Sequence, residues 1–412
     1  MTQDGNPRPD GGMEARSGDL YFRYSSALQG HRLPAAFVDL DRIDANIEQL
    51  RVRADGMPVR LASKSVRSVG MLRYALSHGS FFRGLLCFSP AEAAWLAEQG
   101  FDDLVVAYPS VEPSELAQVA AQVAAGKSIT LMVDNRTQVQ AINEIAVTEG
   151  VVIPLAIDLD MSSDFPGLYF GVHRSPINDV ASALGLAADI ASNQGVMLQG
   201  LMGYEGQIAG LMDAVPGQTV KNRIIRFLKS RSIAEVNKRR EQVVQALRKA
   251  GHTLQFVNGG GTGSFESTRQ DPSVTELAAG SGLYAPTLFD HYQAFELTPA
   301  AGFALPVTRT QAPGVMVCSG GGYIASGPAG KDRLPQPWLP SGCRLIDNEA
   351  AGEVQTPLQH PLSQALNLGD PVLFRHAKAG ELCERFDELL VISNGRVVDR
   401  VPTYRGEGKN FF

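Results

Sequence analysis

The stretch "VRLASKSVRS" at residues 59–68 puts a lysine, Lys64, at the end of a short apolar run, followed by Ser65, Arg67 and Ser68. A lysine at a strand end is ordinarily a solvated charge. The chemical alternative is an amine that condenses with a carbonyl compound. Seven further runs set the frame for reading the first: RGLLCF (83–88), LVVAY (104–108), ITLMVD (129–134), VIPLAID (152–158), LQGLMG (198–203), LQFVN (254–258) and TELAA (275–279). Helix-like segments lie between them, at 90–99, 136–148, 176–194 and 233–249. Continuous apolar runs joined by helices indicate parallel strands buried on both faces. Eight of them is the number that closes a (β/α)8 barrel, an α/β fold. A doubly wound open sheet is the alternative, but it carries a glycine-rich phosphate loop after its first strand, and "ASKSVRS" has no glycine.

One run, "AAFVDLD" at 35–41, precedes the eight and leads into a helix, "RIDANIEQLRVRA". Beyond about residue 295 Pro and Gly rise, helical periodicity fades, and β-type runs such as "GVMVCSG", "DPVLF" and "LLVISNGRVVDRVPTY" appear. The "SNGR" within the last reads as a tight hairpin turn. The expected organisation is a disordered tail over 1–18, an N-terminal strand and helix over 19–58, a barrel over 59–295 and a smaller C-terminal β domain over 296–412.

A length of 412 residues suits two domains, and 44% hydrophobic with 19% charged residues describes a globular protein with a substantial core. The net charge of −6 argues against a nucleic-acid partner. The most basic stretch, Lys221 to Arg240, reads as a solvated helix face. Four scattered cysteines make no disulfide framework and point to a reducing compartment. No apolar run approaches the roughly 20 residues a membrane span needs, and the polar first residues lack a signal-peptide core. A cytoplasmic location is expected.

In a barrel of this kind chemistry gathers at the C-terminal ends of the strands. Those ends carry Lys64, then Cys87 and Ser89, Tyr108, Asp158 and Asp160, and Tyr204 and Glu205. The seventh and eighth strands lead into "VNGGGTGSF" (257–265) and "AGSGLY" (279–284). Such loops most often serve tight turns. Two at adjacent late strands, with the hydroxyls of Thr262 and Ser264, instead suggest backbone amides gathered around a phosphate. A phosphate anchor opposite a strand-end lysine suggests pyridoxal 5′-phosphate.

With these motifs the chain resembles the alanine racemase-like, fold-type III pyridoxal-phosphate enzymes, and within them the D-threonine aldolase/D-serine dehydratase family. "LPAAFVDLDRIDANIEQLR" is similar to the family's opening, whose first strand joins the β domain. "RLASKS" matches the cofactor lysine, with Ala-Ser-Lys where the family often has His-Ala-Lys. "GLMGYEGQ" is similar to the segment beside the cofactor ring and "VNGGGTGSF" to the phosphate loop. The resemblance implies Lys64 as the Schiff-base lysine, Tyr204 and Arg174 as catalytic neighbours, and Gly260, Gly261, Thr262, Gly263, Gly282 and Leu283 around the phosphate. Arg174 either clamps a substrate carboxylate or forms an ordinary salt bridge with Asp158 or Asp160.

Two departures bear on the activity. Where alanine racemases set an arginine against the pyridine nitrogen, this chain has Gly280, which leaves a neutral partner such as Tyr204 and leans toward a lyase. The family's aldolases and dehydratases hold a divalent metal through a His-X-Cys or His-X-Asp pair, whereas "RHAKAGELCERF" separates His376 from Cys383 by six residues. His376 and Cys383 are then either ligands for zinc or manganese or buried structural residues. The implied function is a metal-assisted lyase acting on a small D-β-hydroxy amino acid, as a homodimer. A racemase and a non-catalytic cofactor-binding protein are the alternatives.

Overall fold

The computed structural model describes residues 11–78, 80–360 and 366–411, with side chains from Asp19 onward. Residues 1–10 of the expected tail lie outside these. A helix, Gly11–Ala27, runs through the rest of that stretch.

Two compact units emerge. One comprises 44–283, 289–297 and 408–412; the other comprises 1–43, 284–288 and 298–407. The first strand of the chain, β1 (Ala35–Asp39), belongs to the second unit.

The first unit is a closed barrel. Its strands are β2 (Val59–Ala62), β3 (Phe82–Cys87), β4 (Leu104–Val106), β5 (Ile129–Val133), β6 (Ile153–Asp158), β9 (Val196–Gly203), β10 (Phe256–Gly259) and β11 (Glu276–Ala279). The small hairpin β7 (Ser163–Phe165) and β8 (Leu168–Phe170) is inserted after β6. All eight apolar runs read from the sequence are barrel strands. Every neighbouring pair is parallel, and β11 closes onto β2 through Leu277↔Val59 and Ala279↔Leu61. Leu85, Val105, Leu131, Leu155 and Leu201 are buried, as strands sandwiched between an inner core and an outer helical layer must be. Val105, Met132, Ala156, Met202 and Phe256 pack together, with Phe256 lying so close to Gly200 that a Cβ there would come within 2.4 Å of the ring.

Closure is reinforced by charge. Arg60 of β2, fully buried, makes a bidentate pair with Glu276 of β11 at 2.7 and 2.9 Å and also reaches Asp103. Such a pair is costly to bury but still costlier to break, so it fixes which strands meet.

The second unit is a nine-stranded sheet. β1 lies between β12 (Ala301–Ala312), antiparallel, and β18 (Glu388–Ser393), parallel. The "SNGR" turn joins β18 to β19 (Arg396–Pro402), with Asn394 at φ 49° and Gly395 at φ 72°. Both central residues have positive φ, which suits the asparagine-glycine pair of a hairpin turn. Tyr24, Leu28, Phe37, Leu373, Leu390 and Ile392 form this unit's core.

Candidate active site

Strand β2 stops at Ala62, and Ser63–Ser65 form one 3₁₀ turn, so Lys64 stands just past the strand rather than within it. Its side chain lines a cavity of about 180 Å³ in the barrel unit, together with Tyr108, Arg174, Tyr204, Asn258 and Thr262. The residues come from the C-terminal ends of different strands, which is how the barrel collects chemistry from distant parts of a chain.

Lys64 Nζ donates to Tyr108 Oη at 2.8 Å. Burial pushes the Tyr108 phenol up, but the nearby Lys64 ammonium, which also donates to it, and Arg174 outweigh this and hold it below the ordinary tyrosine value. The Arg174 guanidinium lies 5.0 Å from the Tyr108 ring centre and 5.6 Å from that of Tyr204. Its Nη2 donates to Ala107 O at 3.0 Å and pairs with Asp158 at 3.2 Å. The salt bridge considered from the sequence is thus made, and to Asp158. Burial raises the Asp158 carboxyl to about 6, with Arg174 opposing the rise and Asp134 adding to it. Burial also pushes the Tyr204 phenol up to about 12, so it stays a neutral donor at physiological pH.

The glycine loops are tied down from behind. Gly260 N–H donates to Glu205 Oε2 at 2.8 Å, and Gly261 N–H to Ser264 Oγ at 3.1 Å. Gly282 N–H donates to Thr262 Oγ1 at 3.1 Å and Leu283 N–H to Gly280 O at 3.1 Å. These four amides are engaged within the protein. Among the described residues the amides of Thr262 and Gly263 have no partner. Gly280 and Ser281, rather than Gly282 and Leu283, line the cavity. A Cβ on Gly263 would fall 2.1 Å from Ala209 O, and one on Gly280 2.5 Å from Ala62 O. No side chain fits at position 280 without displacing backbone.

Behind the loop sits a buried network that the sequence did not disclose, although it placed Glu205 at a strand end. Glu205, buried, also accepts from Thr268 Oγ1 at 2.7 Å and pairs with Arg240 at 2.9 Å; Arg240 in turn pairs with Asp271 at 3.0 Å. Arg240 lies in the 31-residue helix Thr219–Lys249 and is fully buried; Lys229, nearly so, pairs with Asp213. The stretch 221–240 is therefore not wholly a solvated face. The available signal was spacing: 236, 240, 243 and 247 share one face, and Val236, Val243 and Leu247 are buried.

In the sheet unit, His376 is 3% exposed and Cys383 fully buried. Neither ring nitrogen of His376 has a hydrogen-bond partner. Burial, aided by Arg375, lowers its pKa to about 3, so the imidazole is neutral. No group of three His, Cys, Asp or Glu side chains among the described residues is arranged to hold a metal ion.

A closed parallel barrel with a lysine past its first strand and an amide cradle past its last two defines a cofactor-dependent barrel enzyme. The family model for the alanine racemase N-terminal domain matches residues 38–287, and the chain belongs to that family, the fold-type III pyridoxal-phosphate enzymes. A D-threonine aldolase of Arthrobacter sp. is 27% identical over 270 residues, 64% of this chain; the match spans 65% of that aldolase's length. The structure of a D-threonine aldolase from Filomicrobium marinum superposes with a TM-score of 0.77 at 21% identity, covering 91% of this chain and 95% of that one. D-threo-3-hydroxyaspartate dehydratase from Delftia sp. HT23 gives 0.75 at 20% identity, covering 92% and 98%.

Pyridoxal phosphate fits the residues present. Lys64 lines the same cavity as Gly260, Gly261 and Thr262, and the loop offers the two amides of Thr262 and Gly263 that have no partner among the described residues. No helix among the described residues is long and apolar enough to cross a membrane.

Proposed function

We propose that the protein is a pyridoxal-phosphate-dependent lyase acting on a small D-β-hydroxy amino acid. The observation that carries this is the placement of Lys64, hydrogen-bonded to Tyr108, in a cavity shared with Arg174, Tyr204 and the Thr262 loop. The names of the relatives, aldolases and a dehydratase of D-β-hydroxy amino acids, support the substrate class.

Lys64 holds the cofactor, and the amides of Thr262 and Gly263 receive its phosphate, with Glu205 and Ser264 keeping the loop open behind them. Gly260, Gly261, Gly280 and Ser281 line the cradle, and Gly282, bonded to Thr262 Oγ1, braces it. When bound, the cofactor supplies an electron sink for charge developing at Cα. Lys64 Nζ, once released, takes or returns the proton at Cα, and Tyr108 Oη is placed to exchange that proton with it. Arg174, braced on Asp158, holds Tyr108 and Tyr204 in place and favours an anionic substrate group in the cavity. In dehydration Lys64 would take the Cα proton while the β-hydroxyl leaves as water with a proton from Tyr108 Oη; in aldol cleavage Tyr108 Oη would take the β-hydroxyl proton as Cα–Cβ breaks and Lys64 would protonate Cα.

A homodimer is part of the proposal, supported by the resemblance alone. A reducing intracellular setting is supported by the four cysteines, which are buried and form no disulfide. The test is product analysis with D-threonine and D-threo-3-hydroxyaspartate. Glycine with an aldehyde indicates aldol cleavage, and an oxoacid with ammonia indicates dehydration. Enantiomer alone as product, or no turnover by cofactor-loaded protein, rejects the lyase reading.

A further inference from the structure

The sheet unit contains a second cavity, of about 270 Å³, lined by Tyr323, Ser326, His376, Lys378, Glu381 and Arg385 among others. It holds the histidine whose two ring nitrogens lack partners, and so invites reading as a metal site. Its other side chains oppose that reading. Both oxygens of Glu381 are already engaged: Oε2 accepts the Ser326 N–H at 2.7 Å, and Oε1 accepts the Ser326 hydroxyl. Lys378 Nζ donates to the same hydroxyl at 2.8 Å and stands 3.8 Å from Glu381 Oε1.

We infer that the Lys378 ammonium is the resident cation of this cavity, so that the protein binds no divalent metal there. An ammonium a few ångströms from the Glu381 carboxylate neutralises the charge that would attract a dication and repels the dication itself. Arg385 on the wall offsets the charge of Glu384, the other carboxylate that lines the cavity. One imidazole without a second and third unengaged donor is too few for a stable zinc or manganese site. The inference deepens the proposed function, since it removes this cavity as a source of divalent metal for that activity. It rests on that reading only for this consequence.

The test is metal binding by the full-length holoenzyme, read without substrate. Elemental analysis after desalting into metal-free buffer, followed by titration with zinc or manganese chloride, is expected to show substoichiometric metal and weak binding. Lys378→Asp replaces the cation with a carboxylate beside Glu381 and His376, and is expected to bind manganese about tenfold or more tightly than wild type. His376→Ala in that background should cancel the gain. Lys378→Gln, a milder change that spares folding, is expected to shift affinity in the same direction by less. About one equivalent of metal per wild-type chain, lost in His376→Ala, would overturn the inference. Failure of both Lys378 variants to bind metal more tightly than wild type would also overturn it. Because the readout is binding, a protein without lyase activity still decides the question.

Discussion

Lys64 Nζ and Tyr108 Oη, 44 residues apart in sequence, share a hydrogen bond of 2.8 Å at the mouths of β2 and β4. The ammonium and its hydrogen bond, with Arg174 nearby, outweigh burial and hold the Tyr108 phenol below its ordinary value of 10.0. A group in that position is suited to pass a proton to and from the amine.

Tyr108→Phe removes the phenol but keeps the ring that Arg174 packs on. It is expected to lower kcat about 10- to 100-fold while changing KM little. The alkaline limb of the kcat–pH profile, falling below pH 10 in the wild type, should move or vanish. An unchanged profile would remove Tyr108 from the proton path.

Gly261→Val places a branched side chain where a Cβ would lie 3.0 Å from the Ala209 side chain and 3.2 Å from that of Tyr204. Cofactor affinity, followed by absorbance on titration with pyridoxal phosphate, should fall far more than the urea midpoint of the apoprotein. Equal losses would mean that the loop serves folding rather than the phosphate.

Arg240→Met leaves Glu205 and Asp271 buried without their common cation. A loss of about 3–5 kcal/mol in unfolding free energy is expected, together with weakened cofactor binding through Gly260. A variant as stable as wild type in urea would show that this network contributes nothing.

Asp158 has a folded pKa of about 6 against 3.8 for the free carboxyl. The folded protein therefore binds this proton more tightly than the unfolded chain does. The stabilisation is fully present below the unfolded value and is lost as pH rises through about 6, a change on the order of 3 kcal/mol. Asp158→Asn should flatten the stability–pH curve across that window in denaturant titrations. A curve as steep as that of wild type would contradict the assignment.

The barrel was legible because parallel strands buried on both faces leave continuous apolar runs, and all eight were present. The helix Thr219–Lys249 was read only from 233 because its first turns expose Val220, Ile224 and Phe227, which blurs an amphipathic pattern. Lys64 and the glycine loops could be singled out from residue type and position. What remained hidden was pairing across long separations. Nothing local to "VNGGGTGSF" says that Gly260 is already held by Glu205, 55 residues away. Likewise, residue type alone gives Arg240 a solvent-facing prior, and only its burial position on the helix contradicts it.

The central claim, that Lys64 is the amine holding the cofactor, is tested most directly by borohydride reduction of the purified holoenzyme followed by peptide mapping with mass spectrometry. The account predicts a single reduced pyridoxyl-phosphate adduct on the peptide carrying Lys64, absent from Lys64→Ala. An adduct on another lysine, or one that persists in Lys64→Ala, would contradict it.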